Sequence, residues 1–165
     1  IYGGKNSMIF DFVSLGKDKL IKEAFNPPKN MNFCKPDGGI WACRYTPEEK
    51  YICDWQCWCV EENFPGKWNI GVVFNLKPET RICTIDSYND LERLIKKYRF
   101  SNAPFDFLNF LDFEIMVKDY DVIELTLKGQ SETRYSFPYN LYGWDVASIL
   151  ILNFDMIAEQ QPIKL

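Results

Sequence analysis

Apolar runs of strand length, broken by proline and glycine turns, set the tightest limit on what this chain can fold into. Met8 to Val13, Ile40 to Cys43, Trp68 to Leu76, Arg81 to Ile85, Val122 to Leu127 and Ile149 to Leu152 carry the apolar and β-branched residues that suit strands. Helices are predicted at four places between them. Lys17 to Phe25 stops at Pro27-Pro28. Thr46, followed by Pro47 and Glu48-Glu49, starts a second that turns Tyr51, Trp55, Trp58 and Cys59 inward until Pro65-Gly66. Ser87 caps a third through Tyr98, with Leu91, Leu94 and Ile95 on one face and Lys96-Lys97 in the last turn, where cations suit the helix dipole. Phe105 to Lys118, apolar at mixed spacing, reads as a fourth. Strands do not alternate regularly with crossover helices, so the predicted class is α+β. No repeat, low-complexity stretch or linker divides the 165 residues, and 1–165 is expected to be a single domain.

Histidine is absent, which excludes Ser-His-Asp and Cys-His hydrolysis, His-ligated zinc and phosphohistidine chemistry. Nineteen basic against 23 acidic residues give a net charge of −4, against a broad basic face for nucleic acid. Cys53, Cys57 and Cys59 crowd one predicted helix beside Trp55 and Trp58, and Cys43 and Cys83 lie in strand-like runs. Crowded helical neighbours rarely meet disulfide geometry, so buried reduced thiols are expected. A zinc site on Cys53, Cys57 and Cys59 lacks a fourth ligand and the CxxC spacing, so no metal is expected. No apolar run is long enough to span a membrane and Ile1 onward does not read as a signal peptide, which points to the cytoplasm and to no membrane partner.

Three segments read as backbone shaped to meet a ligand. Tyr2-Gly3-Gly4-Lys5-Asn6 places paired glycines where backbone N–H groups are free and approach is close, although taken alone the signal is weak and a plain turn is the better explanation. Gly38-Gly39-Ile40-Trp41-Ala42-Cys43 is a turn feeding a strand, or simply a tight hairpin entry with a core tryptophan. Leu141-Tyr142-Gly143-Trp144-Asp145-Val146-Ala147-Ser148 leads an aromatic loop and an acid to the mouth of the buried run Ile149 to Leu152. The stretch Lys128 to Ala147, rich in Gly, Ser, Tyr and Pro, is predicted as a long functional loop.

In this order the three segments resemble the mono-ADP-ribosyltransferase superfamily. Ile1-Tyr2-Gly3-Gly4 is similar to its opening strand motif, Trp41-Ala42-Cys43 falls where its second motif lies, and Asp145 to Ile151 is similar to its third. More closely, Lys35 to Trp41, Lys128 to Arg134 and Tyr142 through Asn153 resemble a family of phage and bacterial proteins associated with those enzymes, whose last motif reads Trp-Asp-x-Glu-Ser. The resemblance implies split β-sheets with flanking helices and NAD as co-substrate. It also implies transfer of ADP-ribose to a macromolecular acceptor (protein, DNA or RNA) by a glycosyltransferase acting as a toxin or bacteriophage-associated effector. The setting would be a bacterial or infected host cell, with a cognate inhibitor or antitoxin as a possible partner. Tyr2, Gly3, Gly4, Lys5, Gly39, Trp41, Ala42 and Cys43 would then hold NAD.

The departures fall at the chemistry. Position 147, where the family's catalytic Glu stands, is Ala147; Gly3 replaces a basic residue, and Cys43 a serine. An Ala inside the frame Asp145-x-x-Ser148 implies either an introduced inactivating substitution or a pseudoenzyme. Cleavage of the nicotinamide–ribose bond passes through an oxocarbenium-like transition state, which a nearby carboxylate stabilises. Alanine supplies no such charge, leaving Asp145 as the acid of the motif. Glu132, in Gln130-Ser131-Glu132, is the alternative catalytic carboxylate, although no apolar strand follows it. Gln130, Arg134, Tyr135, Tyr139 and Trp144 are expected to contact the acceptor. The competing reading is a non-catalytic interaction module on the same fold, which the 16% aromatic content also suits.

Overall fold

The structure, a computed structural model, describes residues 8–165. Seven strands form one mixed sheet: β1 (Phe12–Leu15), β2 (Ile40–Arg44), β3 (Ile70–Leu76), β4 (Ile82–Ile85), β5 (Val122–Leu125), β6 (Ser148–Ile151) and β7 (Ile157–Lys164), in the order β4-β5-β6-β2-β1-β3-β7. Only β4 and β5 pair in parallel; the other neighbours are antiparallel. Four α-helices accompany them: α1 (Asp54–Glu61), α2 (Tyr88–Lys97), α3 (Phe113–Met116) and α4 (Leu127–Thr133). The fold is α+β, as predicted.

The strands do not form separate sheets. β2 joins two halves by changing partner along its length: Ile40, Trp41 and Ala42 pair with β6, whereas Cys43 and Arg44 pair with β1. The two ladders meet end to end on this one strand. Where the β1 ladder stops, the Ser14 hydroxyl donates to the Trp41 carbonyl at 2.9 Å and satisfies it.

Alternation along the strands divides the core into layers. On one face Ile123, Leu125 and Leu150 meet Leu91 and Ile95 of α2, Phe113 and Met116 of α3, and Trp144. On that same face, but over the β1–β3 half, Val13, Cys43 and Val73 meet Cys53 and Trp55 at the start of α1. The opposite face packs Phe12, Ile40, Val72, Phe74, Ile149 and Ile151 under Leu20, Phe25 and Phe154. The helices on the first face therefore stand in two groups, leaving a gap above β2.

Several predicted elements are replaced for identifiable reasons. Lys17 to Phe25 yields only a 3-10 turn at Lys22–Ala24. The backbone of Leu20 is instead held by one amide: its N–H donates to Gln160 Oε1 at 2.9 Å and its carbonyl accepts from Gln160 Nε2 at 3.1 Å. Thr46 closes a turn, its hydroxyl donating to the Tyr51 carbonyl, and helix α1 starts only at Asp54, with Cys53 as N-cap. Of Phe105 to Lys118 only α3 is helical, because Arg99 bridges to Leu111 and the Phe100 and Asp112 N–H groups bond across this loop. The expected loop from Lys128 begins as α4, capped by Thr126, whose hydroxyl accepts from the Gly129 N–H. The Ser87 cap of α2 forms as predicted, accepting from the Asp90 N–H.

Candidate functional site

The gap above β2 is a cavity of about 230 Å³. Its floor is Trp41 and Cys43 of β2; Val13 and Leu15 of β1 form one wall, and Ser148 of β6 with Val146 and Asp145 the other. Trp55 of α1 closes the first side, Trp144 the second, and Lys35 stands at the rim. Two segments singled out in the sequence, Trp41-Ala42-Cys43 and Trp144 to Ser148, thus meet here, because Trp41 and Leu150 are register partners in adjacent strands.

The tryptophans are fixed by packing on both sides. Trp41 stands edge-on to Trp144, ring centroids 4.6 Å apart, and Trp144 Nε1 donates to the Cys34 carbonyl at 3.0 Å. Trp55 stacks on Trp58 at 4.8 Å, and Phe64 packs against both rings. Lys35 Nζ lies 4.6 Å from the Trp41 ring centre, a cation–π placement that holds an ammonium at the cavity mouth. The result is an aromatic, largely apolar cavity with one cation and one carboxylate among its lining side chains.

That carboxylate, Asp145, is anchored from α4. The Arg134 guanidinium donates to the Asp145 carbonyl at 2.8 Å and pairs with its Oδ1 at 3.3 Å, while Gln130 Nε2 donates to the same carbonyl at 3.2 Å. Gln130 and Arg134, expected as acceptor contacts, are therefore occupied in holding the Asp145 loop. Trp144, expected beside them, is 1% exposed and its indole N–H is used internally. Tyr139 is half-buried near Tyr88, and only Tyr135, 75% exposed, offers the ring face anticipated for it. Glu132 lies away from the cavity, its carboxylate accepting from the Tyr88 N–H at the start of α2. It serves as a helix cap.

Ala147 is half-buried and lines a neighbouring cleft at the strand ends, with Arg44, Glu124, Thr46, Glu49 and Asp54. The Arg44–Glu124 ion pair, 2.8 Å, crosses it. Ser148 borders both this cleft and the tryptophan cavity, so the two adjoin at β6. Gly39 lies outside the cavity lining. Its φ of +68° and its approach to β6, where a Cβ would come within 2.6 Å of the Leu150 side chain, explain the glycine structurally. Tyr2, Gly3, Gly4 and Lys5 lie outside the described residues. Trp55, Lys35, Val13 and Leu15 were not legible as site residues; the helical spacing of Trp55 marked it only as inward-facing.

The six cysteines are free thiols. Cys43 of the cavity floor and Cys53 at the start of α1 belong to one buried cluster with Val13 and Val73. The neighbouring Cys43 thiol lowers Cys53 against the effect of burial. The same partnership, together with burial, raises Cys43. Among the described residues no group of three or more Cys, Asp or Glu side chains is placed to hold a metal ion, and no helix is long and apolar enough to cross a membrane.

Compared with protein-family models, with curated proteins and with solved structures, the chain finds no match.

Proposed function

We propose that this chain is an ADP-ribosyltransferase-like protein that takes NAD through the tryptophan cavity. In this reading it transfers ADP-ribose to a macromolecular acceptor as a toxin-like or phage-associated effector, and Ala147 leaves it strongly impaired. The observation that carries the reading is the meeting of the second and third motif segments around one aromatic slot beside the Asp145 carboxylate. The nicotinamide of NAD is a flat ring, and Trp41 and Trp55 suit it as apolar walls. The ammonium of Lys35 at the rim suits the pyrophosphate.

Bond cleavage then needs negative charge beside the ribose, worth most in a site that excludes water. Asp145 has part of its charge taken by Arg134. A glutamate at position 147 would enter the adjoining cleft beside Arg44, on the far side of Ser148 from the ring. Calorimetric titration with NAD, followed by transfer assays on Ala147→Glu, tests the reading. Binding by the parent chain and transfer by the variant are expected; absence of both overturns it.

A second reading, a non-catalytic binding module, is favoured by one surface. Tyr135, Phe137 and Tyr142 are 75%, 89% and 65% exposed, and the Tyr135 and Tyr142 rings lie 6.1 Å apart. Such rings suit a protein partner or inhibitor. A stoichiometric complex in native mass spectrometry, without nucleotide affinity, would favour this reading over the first.

A further inference from the structure

The tryptophan cavity carries a positive charge that its own residues do not balance. Lys35 lines it with Nζ 4.6 Å from the Trp41 ring centre, and among the described residues this ammonium is in no ion pair. Asp145, the carboxylate of the lining, is already paired with Arg134 of α4 at 3.3 Å. The Ser148 hydroxyl is used as well, donating to the Val146 carbonyl. The remaining walls are mostly apolar, with three tryptophan rings among them. We propose that the cavity is a binding site for a small aromatic carboxylate, one ring or a fused pair bearing the acid on its edge, with Lys35 as the partner of the carboxylate.

Size, ring character and charge each narrow the ligand. An apolar cavity of roughly 150 Å³ admits benzene, so about 230 Å³ admits a substituted ring or a fused pair. Trp41, Trp55 and Trp144 offer aromatic contacts that favour a ring over an aliphatic body of equal volume. A carboxylate at Lys35 Nζ makes a charge-assisted hydrogen bond, stronger than a neutral one, beside apolar walls that screen it less than bulk water does. A cationic ring meets Lys35 and finds Asp145 already paired. An uncharged ring gains the walls but leaves the ammonium without an anion. The site needs only the cavity and Lys35, whether or not NAD enters the same space. Where NAD does enter, an aromatic acid competes with it, because its ring takes the walls and its carboxylate the ammonium.

The test titrates the isotope-labelled full chain with indole-3-carboxylate and with indole-3-carboxamide, its uncharged counterpart of nearly the same shape, and follows the tryptophan indole N–H resonances. Cyclohexanecarboxylate is the aliphatic control. Saturable shifts at Trp41 and Trp55 are expected, with the acid bound about tenfold more tightly than the amide and more tightly than the aliphatic acid. Lys35→Met should bring the acid down to the affinity of the amide and leave the amide unchanged, whereas Lys35→Arg should keep the preference. The comparison of acid with amide in the wild-type chain decides the matter even if a variant misfolds. No saturable shift with the aromatic acid, shifts confined to tryptophans outside the cavity lining, or equal affinity for acid and amide overturns the proposal. So does cyclohexanecarboxylate binding as tightly as the aromatic acid, or a preference for the acid that survives in Lys35→Met.

Discussion

The Ser14 hydroxyl donates to the Trp41 carbonyl at 2.9 Å across the point where β2 leaves β1 for β6. It replaces a ladder hydrogen bond with a side-chain one, letting the strands part beneath the cavity without stranding a buried acceptor. Ser14→Ala removes the donor from a site 3% exposed. The expected cost is about 1–2 kcal/mol, read as a lower urea midpoint with unchanged slope. An unchanged midpoint would mean that the seam is held elsewhere.

Gly129 tests α4. A Cβ at this position would stand 2.1 Å from the Ile85 carbonyl oxygen, a backbone atom that can move only with its strand. Gly129→Ala should destabilise the fold by roughly 3 kcal/mol, despite alanine's better helix propensity. Thr126→Ala, which loses the cap and the hydroxyl's donation to exposed Asp86, should cost about 1 kcal/mol. If the two losses are equal, or if Gly129→Ala stabilises, α4 does not lie against β4 as described.

Asp121 carries the acid dependence. It accepts from the Arg81 backbone N–H and guanidinium and from Asn153 Nδ2, and is itself 3% exposed. Arg81 foremost holds its carboxyl well below the usual carboxylate range. A depressed folded pKa means that the stabilisation is complete above the unfolded aspartate value of about 3.9 and is lost as pH falls through the lower folded value. Asp121→Asn should therefore cost about 2 kcal/mol near neutrality, with the gap to wild type closing below about pH 4. A gap that persists unchanged in acid would show that the ionised form is not what matters.

Much of this architecture is written in local patterns, and the misses share a cause. Ser87, and the β-branched run of β3, declare themselves because capping and strand propensity act within a few residues. The helix expected at Lys17 to Phe25 fails because Gln160, 140 residues away, takes the Leu20 backbone groups. β7 escapes notice because it is an edge strand of largely polar sequence containing Pro162, recognisable only once β3 pairs with it. At the site, Trp41 and the Trp144 to Ser148 turn are visible as motifs. Their meeting is set by the β2–β6 register, and Trp55 joins them only because α1 starts seven residues later than the Thr46-Pro47 signal suggests.

Position 147 carries a prediction about activity. Ala147→Glu restores a carboxylate at the mouth of β6. On the proposed function it should raise NAD cleavage or transfer by roughly 10²–10³-fold over the parent chain. Ala147→Gln, of the same shape without the charge, should not. Equal rates for the two variants would locate the effect in packing.

On the proposed function, the cavity lined by Trp41 and Trp55 receives the nicotinamide end of NAD. Trp55 is half-buried on the cavity side, so Trp55→Ala removes a wall while the Trp41–Trp144 pair stays in the core. NAD is titrated by calorimetry into the parent chain and into Trp55→Ala. Saturable binding at one site, weakened about tenfold by loss of the ring, is the result expected; no binding to the parent chain, or equal affinity in the two proteins, contradicts it.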